Sequence, residues 1–154
     1  IRQVLKQHSD ASRQKDGMDA VLLKFNASLT EVQFAGANRP LYLVRHASGP
    51  EPEFLEFKPD KAAIAGFTPD EMAFQTHVIS LEKHDALFIF TDGYADQFGG
   101  GEGKKFMSKN LKQLLVRVAA LPAEEQYQKI DRAFAEWKAG YEQVDDVLVM
   151  GIKL

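Results

Sequence analysis

Two acidic stretches, far apart in the chain, hold the side chains best suited to chemistry. Asp92 follows the apolar run 86–90, which is rich in aromatic and β-branched residues typical of a buried strand. Asp145 and Asp146 directly precede a second apolar run, 147–152. If the two runs are strands that pair antiparallel, the end of the first lies beside the start of the second. The sequence therefore predicts that the three carboxylates meet at one edge of a sheet.

Carboxylates that gather at one place repel each other, so either one is protonated or a cation lies between them. Oxygen ligands favour hard divalent ions such as Mg²⁺ or Mn²⁺ over Zn²⁺. The alternative is that Asp92-Gly93 forms a turn and that Asp145-Asp146 is an ordinary loop beside a strand. Because Asp-Gly turns are common, composition alone favours this alternative.

The elements that must position these carboxylates follow from the apolar periodicity. Besides the two runs above, the pattern predicts strands at 18–25, 29–35, 41–45, 54–57 and 75–81. The first three, joined by short loops, suggest an antiparallel meander. Amphipathic spacing predicts one helix at 106–118 and another from Pro122 to about Gly140, and a short helix at 1–8. Strands followed by two helices and a closing strand favour an α+β fold over a doubly wound parallel sheet.

Three smaller patterns are given structural explanations. The glycine-rich segment 99–105 lacks the residues of a phosphate-binding loop and is predicted to be a mobile connection into a helix. Asp16 and Asp19 are interpreted as part of a turn before a strand, and Arg39 as a solvated turn arginine. The four histidines form no metal-binding motif, so they are interpreted as structural or surface residues.

The composition excludes several function classes. The chain has 154 residues, 45% of them hydrophobic, which is enough for one domain with a core. A net charge of −3 argues against a nucleic-acid partner. The absence of cysteine excludes disulfides and thiol chemistry and favours a cytoplasmic location. No apolar run reaches the length of a membrane span, although the parent protein could be membrane-anchored through another region.

Four stretches occur in an order that matches a known family: 16–20, 34–42, Phe90-Thr91-Asp92-Gly93, and the C-terminal Asp145-Asp146-Val-Leu-Val-Met. Together they resemble the PPM/PP2C-type protein phosphatases, and more narrowly the bacterial SpoIIE/RsbU-like branch. The resemblance implies an αββα sandwich of antiparallel sheets and two divalent ions, Mn²⁺ or Mg²⁺. These ions would activate a water that hydrolyses phosphoserine or phosphothreonine, with no protein nucleophile. By position, Asp92 and Asp145 match two metal-binding aspartates of the family, and Asp146 is a weaker candidate.

One departure from the family pattern shapes the domain prediction. The family's N-terminal Gly-His-Gly motif, whose neighbouring aspartate bridges both ions, is absent from the sequence. We therefore expect residues 1–154 to be a single, truncated phosphatase domain, corresponding to the C-terminal part of the catalytic domain. The sandwich would be incomplete at the N-terminus and would expose sheet edges. An upstream sensor domain is expected in the full protein.

Two functions from different classes follow. The first is a signalling phosphatase that acts on a phosphorylated regulatory protein, by analogy an anti-sigma-factor antagonist; the sequence indicates no substrate-binding residues. The second is a non-catalytic signalling or dimerisation fragment with an incomplete metal site, in which two chains pair through an exposed sheet edge.

Overall fold

The computed structural model describes residues 16–46, 51–69 and 71–154, so the helix predicted at 1–8 lies outside the described residues. The strands are β1 (Gly17–Met18), β2 (Ala20–Phe25), β3 (Glu31–Ala37), β4 (Leu41–Arg45), β5 (Glu53–Phe57), β6 (Ile64–Ala65), β7 (His77–Ser80), β8 (Ala86–Phe90), β9 (Phe98–Gly99), β10 (Lys104–Lys105) and β11 (Val149–Lys153). The helices are α1 (Gly93–Asp96), α2 (Ser108–Val118) and α3 (Ala123–Lys138). The pairs β1–β6, β2–β3, β3–β7, β4–β8, β8–β11 and β9–β10 are antiparallel, which confirms the predicted α+β class.

The chain divides into two compact units. The first unit comprises Ile1–Leu41 and Glu56–Leu81, and the second comprises Tyr42–Leu55 and Glu82–Leu154. The prediction of a single domain over 1–154 stays a prediction.

The first unit is built on a three-stranded sheet of order β2-β3-β7, with β1 and β6 forming a separate small pair. Residues alternate along β3, so that Val32 and Phe34 are fully buried while their neighbours are partly exposed. Ile79 on β7 lies opposite Val32 and is also buried. This period of two is the pattern of a sheet with one apolar face.

The second unit holds most of a four-stranded sheet of order β11-β8-β4-β5. Its core joins one face of this sheet to the apolar sides of α2 and α3. Leu111, Leu114, Leu115 and Val118 of α2 are buried at the three- and four-residue spacing that the sequence predicted. Helix α3 begins after Pro122 and packs against β11 and β9. None of the helices in the described ranges is long and apolar enough to cross a membrane.

One local prediction is wrong. The first three predicted strands do not form one meander, because β4 pairs with β8 in the other sheet while β3 pairs with β2 and β7. The connection 38–40 carries the chain between the sheets, and Asn38 adopts a positive φ of 56° there. The glycine-rich segment, predicted to be a mobile connection into a helix, lies in a β-hairpin of β9 and β10 that precedes α2. Gly100 N–H donates to the carbonyl of Trp137 at 2.9 Å, so a distant helix holds the hairpin.

Candidate functional site

The two acidic stretches are joined by the pairing of β8 with β11. The register places Val149 opposite Phe90 at one end of the ladder and Lys153 opposite Ala86 at the other. The chain that follows Phe90 therefore runs beside the chain that precedes Val149. The predicted antiparallel pairing is confirmed. It brings Asp92 and Asp146 to the same end of the paired strands.

Thr91 links the two stretches through three hydrogen bonds. Its backbone N–H donates to the carbonyl of Leu148 at 3.0 Å, as a ladder would require. The Leu148 N–H, however, donates to the Thr91 hydroxyl at 2.9 Å, and that hydroxyl donates to the carbonyl of Asp146 at 2.8 Å. The hydroxyl thus serves as acceptor and donor at once between residues 55 positions apart.

Gly93 explains how closely the two stretches approach. A Cβ added at this position would lie 2.4 Å from the Asp146 carbonyl oxygen and 3.0 Å from its carbon. Real Cβ atoms essentially never come so near a backbone oxygen, so no side chain fits here without displacing the acidic pair. Gly93 is buried at the start of α1, whose first turn is closed by the Asp96 N–H donating to the Asp92 carbonyl at 2.9 Å. The glycine of the Asp-Gly pair is therefore required by packing.

The acidic pair is fixed by its own local contacts. The Asp146 N–H donates to Oδ1 of Asp145 at 2.7 Å, and Nε2 of Gln143 donates to the Asp145 carbonyl at 2.9 Å. Both aspartates are exposed, and Asp92 is partly exposed. Carboxylate oxygens at this edge are therefore accessible to a ligand from solvent.

The donor set has the right chemistry for a hard divalent ion, since carboxylate oxygen is the ligand that Mg²⁺ and related ions prefer. It is not a complete ligand set. Within the described residues, no three or more histidine, cysteine, aspartate or glutamate side chains gather closely enough to hold a metal ion. The assignment of Asp92, Asp145 and Asp146 as metal ligands stays a prediction.

Gln97 and Trp137 support the loop that carries the acidic pair. Gln97 is fully buried, and its Nε2 donates to the carbonyls of Glu142 at 2.8 Å and Phe98 at 2.9 Å. Nε1 of Trp137 donates to the Gln97 carbonyl at 3.0 Å. These bonds tie the end of α1, the end of α3 and the residues before Asp145 together.

The sequence analysis missed both supporting residues. Thr91 carried a usable signal, because a hydroxyl between a buried strand and an aspartate has few partners except neighbouring backbone. Gln97 carried a weaker one, since only its place between Asp96 and the hairpin marks it. Its carbonyl partner on Glu142 lies 45 residues away, beyond the reach of any local pattern.

The other candidate charges are satisfied structurally. Asp19 accepts from Nδ2 of Asn38 and from the Arg39 guanidinium, both at 2.8 Å. Arg39 is therefore ion-paired, and its interpretation as a solvated turn arginine is wrong.

Burial raises the pKa of Tyr94 well above its usual value, as does the nearby Asp131, and its hydroxyl donates to the Ile130 carbonyl at 2.8 Å. Tyr94 is thus a packed core residue and not an acid or base.

Comparisons with known proteins agree on one family. The sequence profile described as Stage II sporulation protein E (SpoIIE) matches residues 1–154. No protein of curated function matches the chain.

Among solved structures, the chain is similar to the SiaA-PP2C domain of Pseudomonas aeruginosa, with a TM-score of 0.78 and 26% identity over 99% of this chain and 56% of that one. The chain is also similar to the phosphatase domain of SpoIIE from Bacillus subtilis, presoaked with Mn, with a TM-score of 0.58 and 14% identity. This match covers 88% of this chain and 56% of that one. The match to PppA, a key regulatory component of T6SS in Pseudomonas aeruginosa, has a TM-score of 0.57 and 12% identity. It covers 99% of this chain and 64% of that one.

The chain thus spans between 56% and 64% of the length of these three structures. The match over the whole chain confirms the resemblance that the motifs indicated, and the structural similarity confirms the fold class. The chain belongs to the SpoIIE family, and its fold is that of the PP2C-type phosphatase domains.

Proposed function

We propose that the protein to which this chain belongs is a metal-dependent serine/threonine protein phosphatase that acts in signalling. The observation that carries the proposal is the junction of β8 and β11, where the Thr91 hydroxyl and the bare Cα of Gly93 meet the carbonyl of Asp146. This contact brings Asp92 and the acidic pair to one exposed edge. Membership of the SpoIIE family supports the assignment of phosphatase chemistry to that edge.

Each acidic residue has a role in the proposal. Asp92 and Asp145 would hold divalent cations, Mn²⁺ or Mg²⁺, and Asp146 is a weaker third ligand. When bound, such ions supply an activated water and neutralise the charge on a phosphoryl group. The residues of the chain hold and orient this centre, and the chemistry requires no protein nucleophile. The absence of cysteine from the sequence is compatible with that requirement.

The acidic edge can be assembled before any cation binds. Two unit charges 4 Å apart repel by about 1 kcal/mol in water and about 4 kcal/mol near a protein surface. The exposure of Asp145 and Asp146 favours the lower value. A hydrogen bond contributes about 1 kcal/mol net, so the contacts of Thr91 and Gln143 are sufficient to offset such repulsion. A cation would then find the main chain already in position.

The test is hydrolysis of a phosphoserine peptide by the full-length protein with and without Mn²⁺. Asp92→Asn keeps the shape of the side chain and removes its charge, so we expect turnover to fall by about 100-fold or more. Asp131→Asn is the matched control, since it removes an exposed aspartate on α3. Wild-type-like turnover in Asp92→Asn would refute the proposed function.

The substrate is proposed to be a phosphorylated regulatory protein, of the kind represented by an anti-sigma-factor antagonist. PppA is described as a regulatory component, which supports a signalling role for relatives of this fold. We further propose a cytoplasmic catalytic region, joined in the full protein to a sensor domain that could be membrane-anchored. Dephosphorylation of candidate regulators, followed by mass spectrometry, tests the substrate class.

One observation favours the non-catalytic alternative. In the part of the chain that the structure describes, no group of three or more potential ligands is complete. In that case β5 and β11, the outer strands of the four-stranded sheet, are the edges through which two copies would pair. Calorimetry separates the two functions, because tight binding of two Mn²⁺ ions by the full-length protein contradicts a vestigial site.

A further inference from the structure

The hydroxyl of Thr91 occupies a position that a backbone carbonyl would normally fill. In an antiparallel ladder, two opposed residues exchange both N–H to carbonyl bonds. Thr91 and Leu148 exchange only one such bond, from the Thr91 N–H to the Leu148 carbonyl at 3.0 Å. The reciprocal Leu148 N–H donates instead to Oγ1 of Thr91 at 2.9 Å. The side chain therefore ends the β8–β11 ladder at Leu148, two residues from Asp146.

The direction of the hydroxyl proton is fixed by its partners. An N–H group can only donate, so Oγ1 is the acceptor for Leu148. A carbonyl can only accept, so the hydroxyl proton points at the Asp146 oxygen 2.8 Å away. A residue with a hydroxyl on Cβ, threonine or serine, meets both demands at this site. Valine has the same shape as threonine and meets neither.

Gly93, the residue that follows Asp92 in the sequence, lies close to the same Asp146 carbonyl. The space that a Cβ at position 93 would need is occupied by the Asp146 carbonyl. The residue before Asp92 thus binds that carbonyl, and the residue after Asp92 leaves room for it. The tripeptide Thr91-Asp92-Gly93 positions the acidic pair as well as contributing a carboxylate of its own.

We infer that Thr91 is a positioning residue, whose hydroxyl holds the main chain at the Asp146 carbonyl beside Asp92, so that the carboxylates of the two stretches can share divalent cations. The inference rests on the proposed function. It assigns to Thr91 no contact with substrate or with the reacting atoms. Outer-layer partners of metal ligands typically change metal affinity by about 10- to 100-fold when they are removed. We expect an effect of that size from the loss of this hydroxyl.

The experiment compares three variants of the full-length protein. Thr91→Val removes the hydroxyl and keeps the shape, and Thr91→Ser keeps the hydroxyl and removes a methyl group. Thr30→Val is the matched control, because the Thr30 hydroxyl accepts from Nδ2 of Asn26 at 2.9 Å in an exposed turn of the first unit. Each variant is measured for hydrogen exchange without metal and for Mn²⁺ affinity by calorimetry.

The metal-free measurement tests the contact itself. In Thr91→Val the Leu148 amide loses its acceptor, so we expect its exchange to accelerate roughly five- to tenfold. The amide of Leu87, inside β8, should be unchanged and serves as the internal reference. Thr91→Ser and Thr30→Val should exchange at the wild-type rate at both amides. Unchanged exchange of the Leu148 amide in Thr91→Val would overturn the inference whether or not the protein binds metal.

The affinity measurement tests the positioning. We expect Mn²⁺ binding to weaken about 10- to 100-fold in Thr91→Val and to stay within about threefold of wild type in Thr91→Ser. Wild-type affinity in a folded Thr91→Val protein would overturn the inference and leave the proposed function intact. If Thr91→Val does not fold, Thr91→Ser still decides, because an affinity loss there as large as in Asp92→Asn contradicts a role for the hydroxyl. A wild-type protein that neither binds Mn²⁺ nor hydrolyses phosphoserine refutes the proposed function directly.

Discussion

Strand β8 has an aspartate just before its first residue and another just beyond its last, and the two have opposite surroundings. Asp85 is fully buried and receives two bonds from the Arg45 guanidinium, at 3.0 and 2.8 Å, and one from the Glu82 N–H at 2.9 Å. Asp92, at the other end, is partly exposed. It lies beside an acidic pair that is held through main-chain contacts. The same residue type thus serves structure at one end of the strand and supplies accessible oxygen at the other.

The difference shows what distinguishes a structural carboxylate from a candidate ligand. At the Asp85 end, an arginine from β4 neutralises the charge, and hydrogen bonding to Asp85 raises the pKa of Arg45. At the Asp92 end, two acidic stretches run side by side through main-chain contacts, and their aspartates are partly or fully exposed. Such an arrangement is useful if a cation joins them, whereas a buried ion pair needs no further ligand.

The largest effect is expected from neutralising Asp85. Asp85→Asn leaves the Arg45 charge without its buried partner, and the loss of one member of a buried pair typically costs about 3–5 kcal/mol of unfolding free energy. The partial exposure of Arg45 favours the lower value. Urea denaturation measures the loss of unfolding free energy. The Mn²⁺ affinity of the folded Asp85→Asn protein should equal that of wild type.

The matched control is Glu82→Gln. Glu82 lies 3.2 Å from Arg45, but its side chain is 56% exposed, so its contribution should be below about 1 kcal/mol. Equal destabilisation by the two substitutions would contradict the distinction between a buried and an exposed partner.

A smaller effect is expected from Gly93→Ala at the other end of β8. The new Cβ must displace the Asp146 carbonyl, and overpacking of this kind costs about 1–3 kcal/mol. Because the displaced group belongs to the acidic pair, the substitution should also weaken Mn²⁺ binding. Gly101→Ala is the control, since nothing lies within 4 Å of a Cβ there. A Gly93→Ala protein as stable as wild type, with unchanged affinity, would show that the close approach is dispensable.

The smallest expected effect concerns Tyr94, which follows Gly93 and is almost completely buried. Burial raises its pKa above the ordinary value of 10.0, so the folded protein keeps a proton that the unfolded chain releases. Stability supplied by this group is therefore fully present below pH 10 and is lost as the pH rises through the folded pKa. The expected slope is about −1.4 kcal/mol per pH unit above pH 10.

Denaturation of wild type and Tyr94→Phe at several alkaline pH values measures this slope. Tyr94→Phe loses the hydrogen bond to the Ile130 carbonyl, so it should be about 1 kcal/mol less stable at neutral pH. The stability difference between the two proteins should shrink as the pH rises above 10 and change sign within about one pH unit. A difference that does not change with pH would contradict the buried, protonated tyrosine.

The sequence predicted the parts of the fold that depend on local pattern. The run 86–90 and its partner strand were recognisable because both are apolar and each borders an acidic residue, and β4 has the predicted bounds. The switch of β4 into the second sheet was missed, since a short connection such as 38–40 is compatible with a meander as well as with a change of sheet. The hairpin was missed because it packs against Trp137, which is distant in the sequence. A Cβ at Gly99 would lie only 1.9 Å from the Trp137 carbonyl oxygen.

The candidate site shows the same division. Asp92, Asp145 and Asp146 were identifiable from residue type and from the family motifs. Thr91 carried only the signal of a hydroxyl between a strand and an aspartate, and its partner could not be predicted because that carbonyl lies 55 residues away and becomes a neighbour only after β8 and β11 pair. The pairing of Arg39 with Asp19 was also missed, since it joins two turns 20 residues apart. Side chains that act on distant backbone leave little trace in local sequence.

The most direct test of the account is the location of Mn²⁺ in crystals of the full-length protein, determined by anomalous scattering. We expect a manganese peak about 2.0–2.6 Å from carboxylate oxygens of both Asp92 and Asp145. The same peak should be absent from crystals of Asp92→Asn. Manganese bound elsewhere, with neither of these carboxylates among its ligands, would contradict the shared cation on which the proposed function depends.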